Sequence, residues 1–194
     1  MNKTKVFCLG AHKTGTTTLA SCMEMLGFPV CPEAVAYGLC REVIEGNPVH
    51  CLALARCFDA FQDSPWNYLG MHVILDFVFP DAKFILTVRD ESLWCHSMIR
   101  WIALMGSSGS PHYKASLGVD PSIFDMGGLV EAHRSKNDAV ISHFVDRPGK
   151  LLVVDWNIHG WAELCSFLGE NVPAGVPFPH RLRYQPETGE YTNS

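Results

Sequence analysis

Charge is scarce in this chain, and its absence narrows the chemistry open to it. Asp, Glu, Lys and Arg make up 18% of the residues, and 20 acids against 15 bases leave a net charge of −5. No basic surplus exists to cover a nucleic acid or an anionic bilayer, so no nucleic-acid partner is expected, although a local basic pocket stays compatible with these numbers. Long apolar runs are also missing. The run Met71–Phe79 is broken by His72 and Asp76, far short of the roughly 20 residues a spanning helix needs. The N-terminal MNKTKVFCLG has no apolar core followed by a small-residue cleavage site and reads as the lead-in to a strand. The eight cysteines form no C-x-x-C pair and no zinc-finger spacing. Without a secretory signal, reduced thiols and a cytoplasmic location are the expectation.

What is present suits one globular unit. The 194 residues are 47% apolar, enough for a core, and no linker divides them, so residues 1–194 are expected to form a single domain. Lys5–Leu9 is a short apolar run ending at Gly10, as a buried strand would. Gly10–Gly15 reads as loop and Thr16–Leu26 as helix, stopped by Gly27. Helices are predicted at Ala34–Glu45, Pro48–Arg56, Tyr68–Phe79, Glu91–Leu104, Gly128–Val145 and Trp161–Leu168, and further strands at Ala60–Gln62, Lys83–Val88 and Leu151–Val154, the last of them buried. The Gly/Ser-rich segment 106–118 is expected to be a mobile loop, and the tail 178–194 irregular. Strands alternating with helices imply an α/β fold, a central parallel sheet flanked by helices.

The segment G-A-H-K-T-G-T-T at 10–17 places two glycines five apart between a strand and a helix. Such a turn aims successive backbone N–H groups and a helix N-terminus at one point, which suits a phosphate or sulfate. A nucleotide triphosphatase loop carries its lysine directly after the second glycine. Here Thr16 stands there, and the lysine comes earlier, at Lys13. That lysine approaches the anion from another side, and the threonines add hydroxyls. The K-T-G-T-T run resembles the 5′-phosphosulfate loop of P-loop sulfotransferases that use 3′-phosphoadenosine 5′-phosphosulfate (PAPS). A Gly/Thr turn without function, or the loop of a divergent nucleotide kinase, are the alternatives.

A second element points the same way. Arg89 follows the strand Lys83–Val88, and Ser97 lies eight residues on, in the next helix. A strand-end arginine can grip a phosphate with two N–H groups, and a nearby serine can share it. The sulfotransferase family has this arginine-then-serine spacing in its 3′-phosphate site, and V-R-D-E-S-L-W-C-H-S resembles it at both positions. K-F-I-L-T-V-R-D, D-S-P-W at 63–66, G-W-A-E-L-C-S-F-L-G at 160–169 and P-F-P-H at 177–180 extend the likeness over most of the chain. Trp161, Leu164, Phe167 and Leu168 have helical spacing and read as core.

The resemblance implies a sulfuryl transfer from PAPS to a hydroxyl or amine, leaving 3′-phosphoadenosine 5′-phosphate (PAP), with no metal required. Cofactor contacts would come from His12, Lys13, Thr14, Gly15, Thr16, Thr17, Thr18, Arg89 and Ser97. Lys13 would also stabilise charge on the leaving oxygen, and Asp63 is the candidate base, near where related enzymes carry a His or Glu. The alternative role for Asp63 is a cap on the Ser64-Pro65 turn, with His72 as the runner-up base. Tyr37, Trp66, Tyr68, Trp94 and Trp101 flank the presumed site as acceptor-stacking or core residues. No lysine-rich track for a long polyanion is present, so a small-molecule acceptor is expected. A kinase with a divergent loop, or a non-catalytic adenosine-phosphate-binding module, are the competing readings.

Overall fold

The computed structural model describes residues 3–105, 111–120 and 125–179, together with the backbone of 183–185 and 190–192. Four parallel strands make the central sheet: β1 (Val6–Cys8), β2 (Ala60–Phe61), β3 (Lys83–Thr87) and β4 (Leu151–Val154), in the order β2-β1-β3-β4. Phe7 sits beside Phe61 on one side and Phe84 on the other, and Ile85 pairs with Leu152. The strands alternate their side chains between two covered faces, as period-2 geometry requires. On one face Phe7, Phe61, Phe84 and Leu86 pack with Trp66, Leu75, Val140 and Phe144. On the other, Val6, Cys8, Ile85 and Val154 pack with Leu19, Cys22, Met23, Leu164 and Cys165.

The helices are α1 (Thr16–Met25), α2 (Glu33–Tyr37), α3 (Cys40–Ile44), α4 (Val49–Leu54), α5 (Met71–Val78), α6 (Glu91–Met105), α7 (Pro111–Leu117), α8 (Met126–Phe144) and α9 (Trp161–Leu168). None among the described residues is long and apolar enough to cross a membrane. After β1 the chain runs to the outer strand β2, and after β3 it runs to the opposite outer strand β4. The loops following β1 and β3 therefore diverge and leave a crevice at the strands' carboxyl ends, the usual ligand position in open α/β sheets.

Several predicted elements differ in the structure. The helix expected at 34–45 is two, because the Leu39 N–H bonds Ala36 O rather than continuing the regular ladder past Gly38. The helix expected from Tyr68 starts at Met71, after Gly70 turns the chain with φ 79°. Within the predicted loop 106–118, residues 111–117 are the helix α7. Pro111 suits a first helical position, and Tyr113, Ser116 and Leu117, at i, i+3 and i+4, are buried; 106–110 lie outside the described residues. In the tail expected to be irregular, β5 (Arg183–Gln185) pairs antiparallel with β6 (Glu190–Thr192). Leu151–Val154 is an edge strand whose Val153 is exposed, so it is less buried than its apolar sequence suggests. All eight cysteines are free thiols.

Candidate functional site

The glycine loop fills the crevice after β1, and its sequence explains its shape. A Cβ on Gly10 would stand 1.9 Å from Thr87 Oγ1, so only glycine lets β1 turn this close to β3. Thr14 Oγ1 then donates to Ala11 O at 2.6 Å and meets Thr87 Oγ1 at 2.6 Å, tying the loop to β3. Gly15 has φ 100° and lies under Trp156, whose Nε1 donates to Gly15 O at 3.1 Å. A Cβ there would meet Trp156 Cδ1 at 2.5 Å. Trp156 is backed by Phe178, 5.1 Å between ring centroids. No side chain among the described residues caps the N-terminus of α1, so the N–H groups of its first turn stay directed at the crevice.

Lys13 and Asp63 are the non-glycine residues with positive φ among those described, at 71° and 56°. Each stores of order 1 kcal/mol or more of backbone strain, which persists where surrounding contacts fix it. For Lys13 the contacts are on α6. Its Nζ lies 4.4 Å from the Trp101 ring centre, and Trp94 Nε1 donates to His12 O at 2.9 Å. Trp94, Ser97 and Trp101 follow one another at helical spacing, so Ser97 shares the stripe of α6 that faces the loop. Its hydroxyl is buried without a hydrogen-bond partner among the described residues. Arg89 reaches back to the same loop, with Nη1 3.5 Å from Lys13 O.

Asp63 enters from the other side. Its carbonyl accepts the Asn67 N–H at 3.1 Å, which closes the Ser64–Asn67 turn through the backbone. The carboxylate is left for the loop: Thr16 Oγ1 donates to Oδ2 at 3.1 Å, and His12 Nε2 stands 3.9 Å from Oδ1. Oδ1 itself is buried with no hydrogen bond among the described residues. His12 also meets Ser64 Oγ at 3.2 Å and packs edge-on to Tyr113. Burial pushes the His12 pKa down, against the raising effect of the Asp63 charge. The site thus joins a helix end, two cationic side chains, and a serine hydroxyl and a carboxylate oxygen that have no hydrogen-bond partner among the described residues.

A family model of the sulfotransferase domain matches residues 5–124 and 113–183. The chain belongs to this sulfotransferase family. No curated protein matches it.

The structure of this sulfotransferase gathers His12, Lys13, Gly15, Thr16, Asp63 and Arg89 around one loop, and sets Ser97 on the helix stripe facing it. The Thr14 hydroxyl is turned inward to Ala11 and Thr87, so it braces the loop instead of facing an anion. Thr17 is exposed at the helix start, whereas Thr18 is buried. His72 packs its ring against His143 and Phe144 of α8, with centroids 5.1 and 6.5 Å away. Burial first, then the charges of His143 and Lys136, lower its pKa to about 4; it is a core histidine of the α5–α8 contact. Of the aromatics, Trp66 is core with Phe7 and Phe61. Tyr37 and Tyr68 meet at His112: the Tyr37 ring is 4.5 Å from it, and Tyr68 Oη lies 2.6 Å from Nδ1.

Three contributors, Trp156, Asn67 and Lys136, were missed by sequence reasoning, and Trp94 was read as flanking the site without its bracing role. Trp94 and Trp156 brace the loop through indole N–H groups, and a tryptophan's sequence context does not say where that hydrogen points. Asn67 Nδ2 donates to Gly10 O at 3.2 Å. Lys136 is buried on α8, and this one did leave a signal. Leu129, His133, Lys136, Val140 and Phe144 are the buried stripe of that helix, and a lysine on an apolar stripe is rare without a partner.

Proposed function

We propose that this sulfotransferase moves the sulfuryl group of PAPS to a hydroxyl or amine of a small acceptor, in line and without a metal, in the cytoplasm, and releases PAP. The observation that carries this reading is the Asp63 carboxylate, held by Thr16 Oγ1 at 3.1 Å against the uncapped start of α1. A base beside an anion-binding helix end is what in-line transfer to a protonated acceptor requires. When bound, PAPS supplies an activated sulfuryl group on a phosphate leaving group.

The remaining roles belong to this chain's residues. The loop amides and the end of α1 bind the 5′ anion. Arg89 takes the 3′-phosphate with two N–H donors, and the Ser97 hydroxyl, which has no hydrogen-bond partner among the described residues, shares it. Lys13 leaves the Trp101 face to offset charge on the leaving oxygen. Asp63 Oδ1, which has no hydrogen bond among the described residues, takes the acceptor's proton, while Thr16 fixes the other oxygen. His12, neutral because it is buried, orients Asp63 and Ser64 rather than competing for that proton.

The test is a thermal-shift panel followed by a transfer assay. Stabilisation by PAP without magnesium, and label moving from PAPS to one of a set of small hydroxyl and amine acceptors, is the expected outcome. Stabilisation by ATP only with magnesium would replace this reading with a kinase. PAP binding with no transfer to any acceptor would leave a binding module.

A further inference from the structure

The buried amine of Lys136 has no part in the roles above, yet it stands behind the whole Asp63 side of the site. Its side chain is 3% exposed. Nζ donates to Asn67 O at 2.6 Å and to Ser116 Oγ at 3.1 Å. Those two acceptors belong to different walls. Asn67 closes the turn that begins at Asp63 and donates through Nδ2 to Gly10 O in the glycine loop. Ser116 lies on α7, whose Ala115 O accepts the Leu69 N–H at 2.9 Å and whose Tyr113 packs against His12. One ammonium therefore pins the 63–69 segment to α7, with α8 as the support.

A buried ammonium is costly, and an apolar residue at the same place on α8 would fill the stripe more cheaply. A carbonyl oxygen and a hydroxyl are neutral acceptors, so neither offsets that cost as a carboxylate would. What the cation supplies is charge-assisted hydrogen bonding that fixes two segments at once. The strained φ of 56° at Asp63 is the kind of conformation that needs such fixing.

We propose that Lys136 is a positioning residue for this sulfotransferase: by clamping the Asn67 carbonyl and the Ser116 hydroxyl, it holds the 63–69 turn and α7 in place, so that the Asp63 carboxylate stays aimed at Thr16 and the acceptor. This rests on Asp63 being the base. Charge on Lys136 is itself tunable. Burial lowers its pKa to about 7, with the Asp63 charge opposing the fall. The other titratable groups that feel its charge are His12 in the loop, His72 on α5 and His133 on α8. The clamp is fully charged well below pH 7 and weakens as the pH rises through that value.

The experiment compares wild type with Lys136→Met and Ser116→Ala in two readouts. In hydrogen exchange, the Asn67 and Tyr68 amides, bonded within the turn, and the Leu69 amide, bonded to Ala115 O of α7, should exchange roughly tenfold faster in both variants while α1 and β3 keep their protection. In turnover, Lys136→Met should lose roughly tenfold to a hundredfold in kcat, the scale of misplacing a reacting group by about 1 Å, with PAP affinity within about threefold of wild type. Wild-type kcat should decline as the pH rises through about 7, and Lys136→Met should lose that decline. Unchanged exchange at residues 67–69 overturns the clamp, as does faster exchange throughout the chain. Unchanged kcat at loosened amides overturns its role in positioning the base. If Lys136→Met does not fold, Ser116→Ala decides by the same readouts. Wild-type protein that binds PAP and transfers nothing would fail the proposed function, and the exchange arm would still decide the clamp.

Discussion

At the residue scale the site rests on side chains whose contacts separate chemistry from support. Asp63 carries the sharpest expectation. Asp63→Asn keeps the Thr16 hydrogen bond through its carbonyl oxygen but cannot accept a proton. It should lower kcat by roughly 10²–10⁴, the usual worth of a general base, and leave PAP affinity near wild type. Wild-type kcat in that variant would remove Asp63 from the mechanism. Arg89 tests the other end of the cofactor. Arg89→Ala should cost about 1.5–3 kcal/mol of PAP affinity, as charged hydrogen bonds do. Measured by titration calorimetry, the same variant should lose the preference for nucleotides with a 3′-phosphate over those without. A retained preference would show that another group reads that phosphate. Both residues were visible in the sequence because motif spacing names positions. The inward turn of Thr14 was not, since K-T-G-T-T gives four threonine and lysine side chains equal standing until Thr87, 73 residues away, claims one of them.

At the element scale the decisive unit is strand, loop and helix, and its integrity hangs on Gly15. Substituting alanine there meets a left-handed φ of 100° and a Cβ 2.5 Å from Trp156. Gly27→Ala is the control, with φ 74° and nothing among the described residues within 4 Å; it should cost about 1 kcal/mol, the strain of an L-residue in that region. Gly15→Ala should cost clearly more by urea unfolding and should abolish stabilisation by PAP, because relief requires Trp156 or the loop to shift. Equal costs for the two would mean that Trp156 does not brace the loop. The same scale shows how far sequence reading reached. β1, β3 and α1 were legible because apolar runs and glycine stops are local signals. α7 was not: its burial of Tyr113, Ser116 and Leu117 depends on α8 and the loop, and a short helix owes its stability to such packing more than to propensity. Nor could α2 and α3 be parted, since Gly38 is a weak break whose effect is set by the turn it joins. Asp63's neighbourhood, built from three separate chain segments, had no local signature beyond the residue itself.

At the scale of the whole molecule, buried histidines set its response to acid. His133 is stacked on Trp94 with 4.0 Å between centroids, and His72 is wedged against α8. Burial, helped by the Lys136 charge, lowers the His133 pKa to about 4, and His72 falls to about 4 as well. An unfolded chain binds these protons near pH 6.5, whereas the folded chain resists them. Between about pH 6.5 and 4 the unfolded state therefore holds more protons, and each histidine withdraws up to about 1.4 kcal/mol of stability per pH unit lost. Asp76 acts below that window. Burial would raise its pKa, but hydrogen bonds from Arg147 and His143, with the Lys150 charge, hold it below the usual value. Its contribution is full above about pH 4 and is lost only as the pH falls through that lowered value. Unfolding midpoints should thus decline steadily from pH 6.5 to 4.5. A double variant, His72→Gln with His133→Gln, should start from a lower stability and show a flatter slope over the same range. A wild-type midpoint that stays level across that interval would mean that both rings gain their protons without opening the core, and the α5–α8 and α6–α8 contacts would then be looser than their packing implies.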